Sequence, residues 1–92
     1  MNKDKLQQKL YDYFISKKAD KFWINIALKH ILLSLNGNGY WINDMVKPRC
    51  SIDKFGMIKK FTCIASCNTT QRSFNVTYIY IHTDRHIVTI KE

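Results

Sequence analysis

The sequence predicts an α+β domain: two N-terminal helices packed on one face of a four- to five-stranded antiparallel β-meander. Three observations predict it. Apolar residues recur at helical spacing as far as Leu35 and alternate from Tyr40 onward. β-branched and aromatic residues crowd the second half of the chain. Polar or glycine-bearing turns divide that half into short segments, at Asn36 to Gly39, Lys47-Pro48, Gly56, Asn68 to Ser73 and Thr83 to Arg85.

The first helix is expected over about residues 4–18. Leu6, Leu10 and Phe14 stand at i, i+4 and i+8, with Tyr13 beside them. Lys3, Gln7, Gln8 and Asp12 face water. Asp4 suits the first turn, and Lys17 and Lys18 suit the last, where they oppose the helix dipole. Asp20 reads as the N-cap of a second helix over about 21–35. Phe22, Trp23, Ile24, Ile26, Ala27, Leu28, Ile31, Leu32, Leu33 and Leu35 nearly surround its axis. Lys21, Asn25 and Lys29 form the one polar strip, with His30 at its border, so this helix is expected to be central and covered on most sides. Asn36 to Gly39 stops it. A phosphate-cradling loop would open a helix and carry Lys-Ser/Thr, and this segment does neither.

Strands are expected over about 40–46, 50–55, 57–66, 73–82 and 86–91. Pro48 cannot donate to a ladder and marks an edge or a turn. A three-residue loop at Thr83 to Arg85 pairs His82 with His86, Tyr80 with Val88 and Tyr78 with Ile90. One face of that hairpin carries Phe74, Val76, Tyr78 and Tyr80. The other carries Ile79, Ile81 and Ile87 among Asn75, Thr77 and Thr89. Two helices cover only one face of such a sheet. Branched aliphatics fill a helix–sheet interface well, so the helices are expected on the Ile face. Phe74, Tyr78 and Tyr80 are then left as a binding surface, with Lys59 and Lys60 on the neighbouring strand. A winged helix-turn-helix fits less well. The second helix is too apolar to lie in a groove, and no recognition helix follows it.

Composition bounds the class. The 92 residues, 46% hydrophobic and 13% aromatic with one Pro and three Gly, read as a single folded domain over 1–92 and exclude a disordered chain. The N-terminus has no apolar run of the signal-peptide kind. Phe22 to Leu35 is polar-interrupted and shorter than the roughly 20 residues of a membrane span. Three cysteines, an odd number, argue against a disulfide framework. The expectation is a cytoplasmic, intracellular protein with no membrane partner.

The net charge is +8, from twelve Lys and three Arg against six Asp and one Glu. The wealth of Lys, Asn and Ile suggests an AT-rich coding sequence. That bias would favour Glu as well, so the basic excess belongs to the protein. It points to a polyanionic partner, nucleic acid included. The scarcity of Arg, the residue of bidentate phosphate recognition, weighs against nucleic acid.

One window carries metal-ligand chemistry. Cys63 and Cys67 precede His82 and His86 with the spacing of a Cys2His2 zinc site. A zinc finger places its histidines on a helix, whereas Phe74 to Ile81 alternates as a strand. Residues four apart in a straight strand stand about 13 Å apart, and zinc needs both sulfurs at about 2.3 Å. The window therefore chelates only if the strand breaks near Ser66 or Cys50 substitutes. A Cys–His nucleophile pair from the same residues lacks an orienting group beyond Asp84.

The expected function is that of a small basic binding protein, not an enzyme and without a cofactor, acting by protein–protein contact. A regulator, inhibitor or accessory factor of viral, mobile-element or pathogen origin fits this composition. A homodimer through the sheet is one form of such contact. The alternative is a nucleic-acid-binding module, with Phe74, Tyr78 and Tyr80 as stacking platform and Lys59 and Lys60 on phosphate. The third is a zinc protein through Cys63, Cys67, His82 and His86.

Overall fold

The computed structural model describes residues 2–37, 44–67, 72–82 and 85–91. Helix α1 spans Asn2–Ser16 and α2 spans Lys21–Gly37. Strands β1 (Asp44–Ile52), β2 (Ile58–Cys67), β3 (Arg72–His82) and β4 (Arg85–Lys91) follow. They form one antiparallel sheet in the order β1-β2-β3-β4, with both helices on one face. This is the α+β meander that the change of period predicts.

The helices enter as their sequences require. Leu6, Leu10 and Phe14 of α1 are buried, and so are Ile24, Ala27, Leu28, Ile31 and Leu35 of α2. The end of α1 is tighter than the lysine-rich last turn suggests. The chain turns at Lys18, whose φ is 67°. Lys18 N–H donates to Ile15 O at 2.9 Å and Ala19 N–H to Phe14 O at 3.1 Å. That is a Schellman closure, with buried Ala19 below it. Lys17 and Lys18 thus form the cap instead of the final turn.

The sheet has four strands because two expected segments merge. β1 runs through Lys47-Pro48 instead of ending there. It absorbs the irregularity as a bulge between Val46 and Arg49, with Lys47 at φ 52°. Pro48 does lie on an edge strand, where its missing N–H is tolerated. Residues 40–43 of the expected first strand and Asn38-Gly39 of the expected helix stop lie outside the described residues.

The β3–β4 register is shifted from the expected one. Tyr80 pairs with His86, Tyr78 with Val88 and Val76 with Ile90, and His82 pairs with Arg85 after a bulge at Ile81. His82 and His86 therefore do not face each other. The loop has two residues between the paired ends, and the bulge takes up the extra one.

The face assignment is reversed. Phe74 and Tyr78 are 3% and 2% exposed, and Val76 is buried with them under the helices. Ile79, Ile81 and Ile87 face outward. All four strands choose the face together. β2 contributes Phe61, Cys63 and Ala65 to the Tyr78 side, and Lys60, Thr62 and Ser66 to the Ile side. Covering the Ile face would have buried Lys60, Arg49 and Asn75 without partners, at several kcal/mol per charged group. Phe14 meets Phe61 edge-on at 5.0 Å between ring centroids, which joins α1 to β2. The one polar atom that Tyr78 brings inside is satisfied. Burial, then Tyr80, pushes its phenol up to about 12, so the hydroxyl keeps its proton, and it shares a hydrogen bond with His86 Nδ1 at 2.7 Å.

α2 is less enclosed than its composition predicts. Phe22 and Leu33 are 61% and 60% exposed. The sheet lies beneath the helix and α1 lies on one flank, and a two-layer domain supplies no third layer.

Candidate protein-binding surface

At one end of the molecule the start of α2 meets the β1–β2 turn. Asp20 caps α2: its Oδ2 accepts from Phe22 N–H at 3.0 Å, and its carbonyl accepts from Ile24 N–H. Asp20 N–H donates to Gly56 O at 2.9 Å, tying the helix start to the turn. The approach is close. A Cβ on Gly56 would stand 2.8 Å from Asp20 N, and Gly56 adopts φ 82°. Asp53 holds the turn itself, with Oδ1 accepting from Phe55 N–H and Met57 N–H at 2.9 Å each. Those backbone bonds, that to Met57 foremost, keep its carboxyl below the ordinary carboxylate range.

This frame fixes two phenylalanines in water. Phe55 is 73% exposed in the turn, and Phe22 projects from the first turn of α2. Phe22 meets Trp23 edge-on at 5.0 Å, and Trp23 meets Tyr80 at 6.0 Å. Lysines flank the rings. Lys54 Nζ lies 5.1 Å from the Phe55 centroid and Lys59 Nζ lies 5.0 Å from that of Tyr80. Lys17, Lys18 and Lys21 are exposed along the adjoining chain. The acids here, Asp20 and Asp53, are engaged by backbone N–H groups. The result is two sets of aromatic rings, Phe22–Trp23–Tyr80 and Phe55, on elements tied together at Asp20 and Gly56, with lysines around both.

The ring contacts continue inward. Tyr80 meets His86 at 5.3 Å, and His86 stacks on His30 of α2 at 4.1 Å and 17°. Burial, then the His86 and Lys29 charges, lower the His30 pKa from 6.5. This stack pins the middle of α2 to β4.

Of the residues expected to bind, Tyr80 and Lys59 belong to this patch. Phe74 and Tyr78 belong to the core. Lys60 pairs with Ile79 on the opposite, uncovered face of the sheet. Phe22 and Phe55 are not among the expected binding residues, though each carries a signal. Phe22 and Leu33 share the wheel position of polar Asn25 and Lys29. Phe55 sits in Asp53-Lys54-Phe55-Gly56, a turn sequence at the end of the expected 50–55 strand.

The cysteine and histidine window is dispersed. β2 pairs with β3 without a break from Lys60 to Cys67, so the strand does not fold back near Ser66. Cys63 faces Val76, four residues from the Tyr80 that pairs with His86, about 13 Å along the strand. Cys67 pairs with Arg72 near the far end of the sheet, and His82 with Arg85 at the hairpin. Among the described residues no three His, Cys, Asp or Glu side chains gather to hold a metal. Burial pushes the Cys63 thiol up to about 12, which keeps it protonated and unreactive at neutral pH. No described helix is long and apolar enough to cross a membrane.

No family model matches the chain, and no curated protein or solved structure is similar to it.

Proposed function

We propose that this is a small, non-enzymatic binding protein that docks an acidic protein surface through Phe22, Trp23, Phe55 and Tyr80 and the lysines around them. A regulator, inhibitor or accessory factor of the cytoplasm works in this way. The observation that carries the reading is the exposure of Phe22 and Phe55, 61% and 73%, on a frame fixed by the Asp20–Gly56 and Asp53 hydrogen bonds. Exposed aromatics on rigid backbone are the anchors of protein interfaces, since they desolvate large area at little entropic cost. Lys21, Lys54 and Lys59 choose a partner of opposite sign and speed its approach. The buried, protonated Cys63 thiol supports a binding role over thiol catalysis.

The test is affinity capture with the parent chain and with a Phe22→Ala/Phe55→Ala variant, each with and without nuclease. A protein retained by the parent and lost by the variant supports the reading. Retention that depends on nucleic acid, with affinity falling steeply in salt through counterion release, would replace the protein partner with a nucleic acid on the same rings.

A further inference from the structure

We propose a phosphate-binding site on the uncovered face of the sheet, in two adjoining hollows over β1, β2 and β3, that takes a small phosphate monoester with a hydroxyl-rich remainder, a sugar phosphate in chemical class. It goes beyond the protein-binding reading and does not rest on it. Shape, charge and lining chemistry carry it.

The β1 edge is bent where the hollows lie. The register of β1 against β2 shifts between Val46 and Arg49 and again between Ser51 and Ile52, and Lys47 between them is left-handed at φ 52°. Bulges re-aim side chains in this way. The first hollow, about 240 Å³, is lined by Arg49 and Ser51 of β1 and by Lys60 and Thr62 of β2. The second, about 290 Å³, is lined by Lys47, Thr62, Ile64, Asn75 and Thr77. Thr62 lies in both, so the two adjoin. Small-molecule sites run from about 300 Å³ upward, so each hollow suits one group and the pair suits one small ligand.

Charge selects an anion. Arg49 pairs with Thr62 and Ser51 with Lys60, so Arg49 and Lys60 stand diagonally across the ladder, about 7 Å apart at Cβ. Both are exposed, and among the described residues neither they nor Lys47 makes an ion pair. No carboxylate lines either hollow. The acids nearest in β1 and its turn are already engaged. Asp44 is held by Lys9 and by Met45 N–H. Asp53 accepts from Phe55 and Met57 N–H, and the charges that act on it are Lys59 and Lys54. Asp84 and Glu92, outside the described residues, adjoin β4, which β3 separates from β2. The guanidinium fork of Arg49 and the ammonium of Lys60 match the oxygens of one phosphate, and the Ser51 and Thr62 hydroxyls donate to those that remain.

The second hollow selects the remainder of the ligand. Thr62, Thr77 and Asn75 offer hydroxyl and amide groups that both donate and accept, which pairs them with sugar hydroxyls. Neither hollow has an aromatic ring among its described lining residues, so a base finds no stacking platform there. A sugar phosphate therefore fits better than a nucleic acid strand.

The experiment is an amide-resolved NMR titration of the full chain in phosphate-free buffer at physiological salt, where general attraction to the basic surface is screened. Inorganic phosphate should shift the Arg49, Ser51, Lys60 and Thr62 amides saturably. Glucose phosphate, esterified at the primary hydroxyl, should shift these and the Asn75 and Thr77 amides. It should bind about fivefold more tightly than inorganic phosphate, the worth of one further hydrogen bond. Glucose should shift none of them. Arg49→Gln and, separately, Lys60→Gln should each weaken glucose phosphate by about tenfold or more, since each removes a charge-assisted bond. Both side chains are exposed, so both variants should melt with the parent. Lys29→Gln, which removes the same charge from α2, should bind as the parent does. Asn75→Ala with Thr77→Val should reduce glucose phosphate to the affinity of inorganic phosphate. Shifts that fail to saturate or scatter over the lysines of both helices would mean an adventitious ion only, and would overturn the proposal. So would full affinity in Arg49→Gln and Lys60→Gln, or glucose phosphate that binds no better than inorganic phosphate. A single-stranded oligonucleotide or a phosphoserine peptide that shifts the same amides and binds more tightly than glucose phosphate would overturn it in favour of that macromolecule.

Discussion

Truncating Tyr78 tests which face of the sheet is the core. The ring is 2% exposed, opposite Val88 on β4 and Phe61 on β2, and its hydroxyl has one partner, His86 Nδ1. Tyr78→Ala leaves a ring-sized cavity, which costs about 3–5 kcal/mol in a packed core. Tyr78→Phe keeps the ring and loses one neutral hydrogen bond, about 1 kcal/mol. A domain of this size has roughly 5–15 kcal/mol in total. The first variant therefore loses a large share of its stability, and its melting point should fall by about 12 °C or more at 4–8 °C per kcal/mol. Urea unfolding followed by circular dichroism measures both variants on one scale. The reasoning is refuted if Tyr78→Ala unfolds within about 1 kcal/mol of the parent, or if the two variants cost the same.

Three further outcomes follow from the frame and the histidine stack. Gly56→Ala forces a Cβ against Asp20 at a φ of 82° and should cost about 2–3 kcal/mol through strain and a lost hydrogen bond, read by thermal melting. Lys18→Gly relieves a left-handed lysine at the α1 cap and should stabilise by about 0.5–1 kcal/mol net of chain entropy; a loss of stability would show that Lys18 is not strained. His30 has a pKa lowered by burial, so the unfolded chain takes up its proton first. Its contribution is whole above pH 6.5 and fades as the pH falls toward the folded value. Melting points at pH 7.5 and 5.5 should differ more for the parent than for His30→Gln.

Much of the fold is legible in the residues because it rests on short-range pattern. Leu6, Leu10 and Phe14 announce α1, Asp20 announces the start of α2, and the alternation after Ile58 announces three strands. The sheet face is not legible from β3 and β4 alone, since both faces of that hairpin are apolar. Lys60, Thr62 and Phe61 on β2 decide it, through a register that periodicity leaves open. Pro48 reads as a strand end because a bulge that carries a strand past proline has no signature beyond the proline itself. The candidate surface was legible in part. Tyr80 and Lys59 stand out in sequence, but the placing of Phe55 at the start of α2 depends on the contact between Asp20 and Gly56, thirty-six residues apart in sequence. No local pattern reports such a contact.

The central claim is that the exposed rings at the start of α2 and in the β1–β2 turn are interface anchors, and one comparison tests it most directly. The partner protein captured by the parent chain is titrated against the parent and against Phe22→Ala/Phe55→Ala, with melting points measured on both. Each exposed ring adds little to the fold, and interface anchors are worth about 2 kcal/mol or more apiece. The account predicts an affinity loss of at least tenfold, with the melting point within about 2 °C of the parent. Equal affinity for the two chains would contradict it.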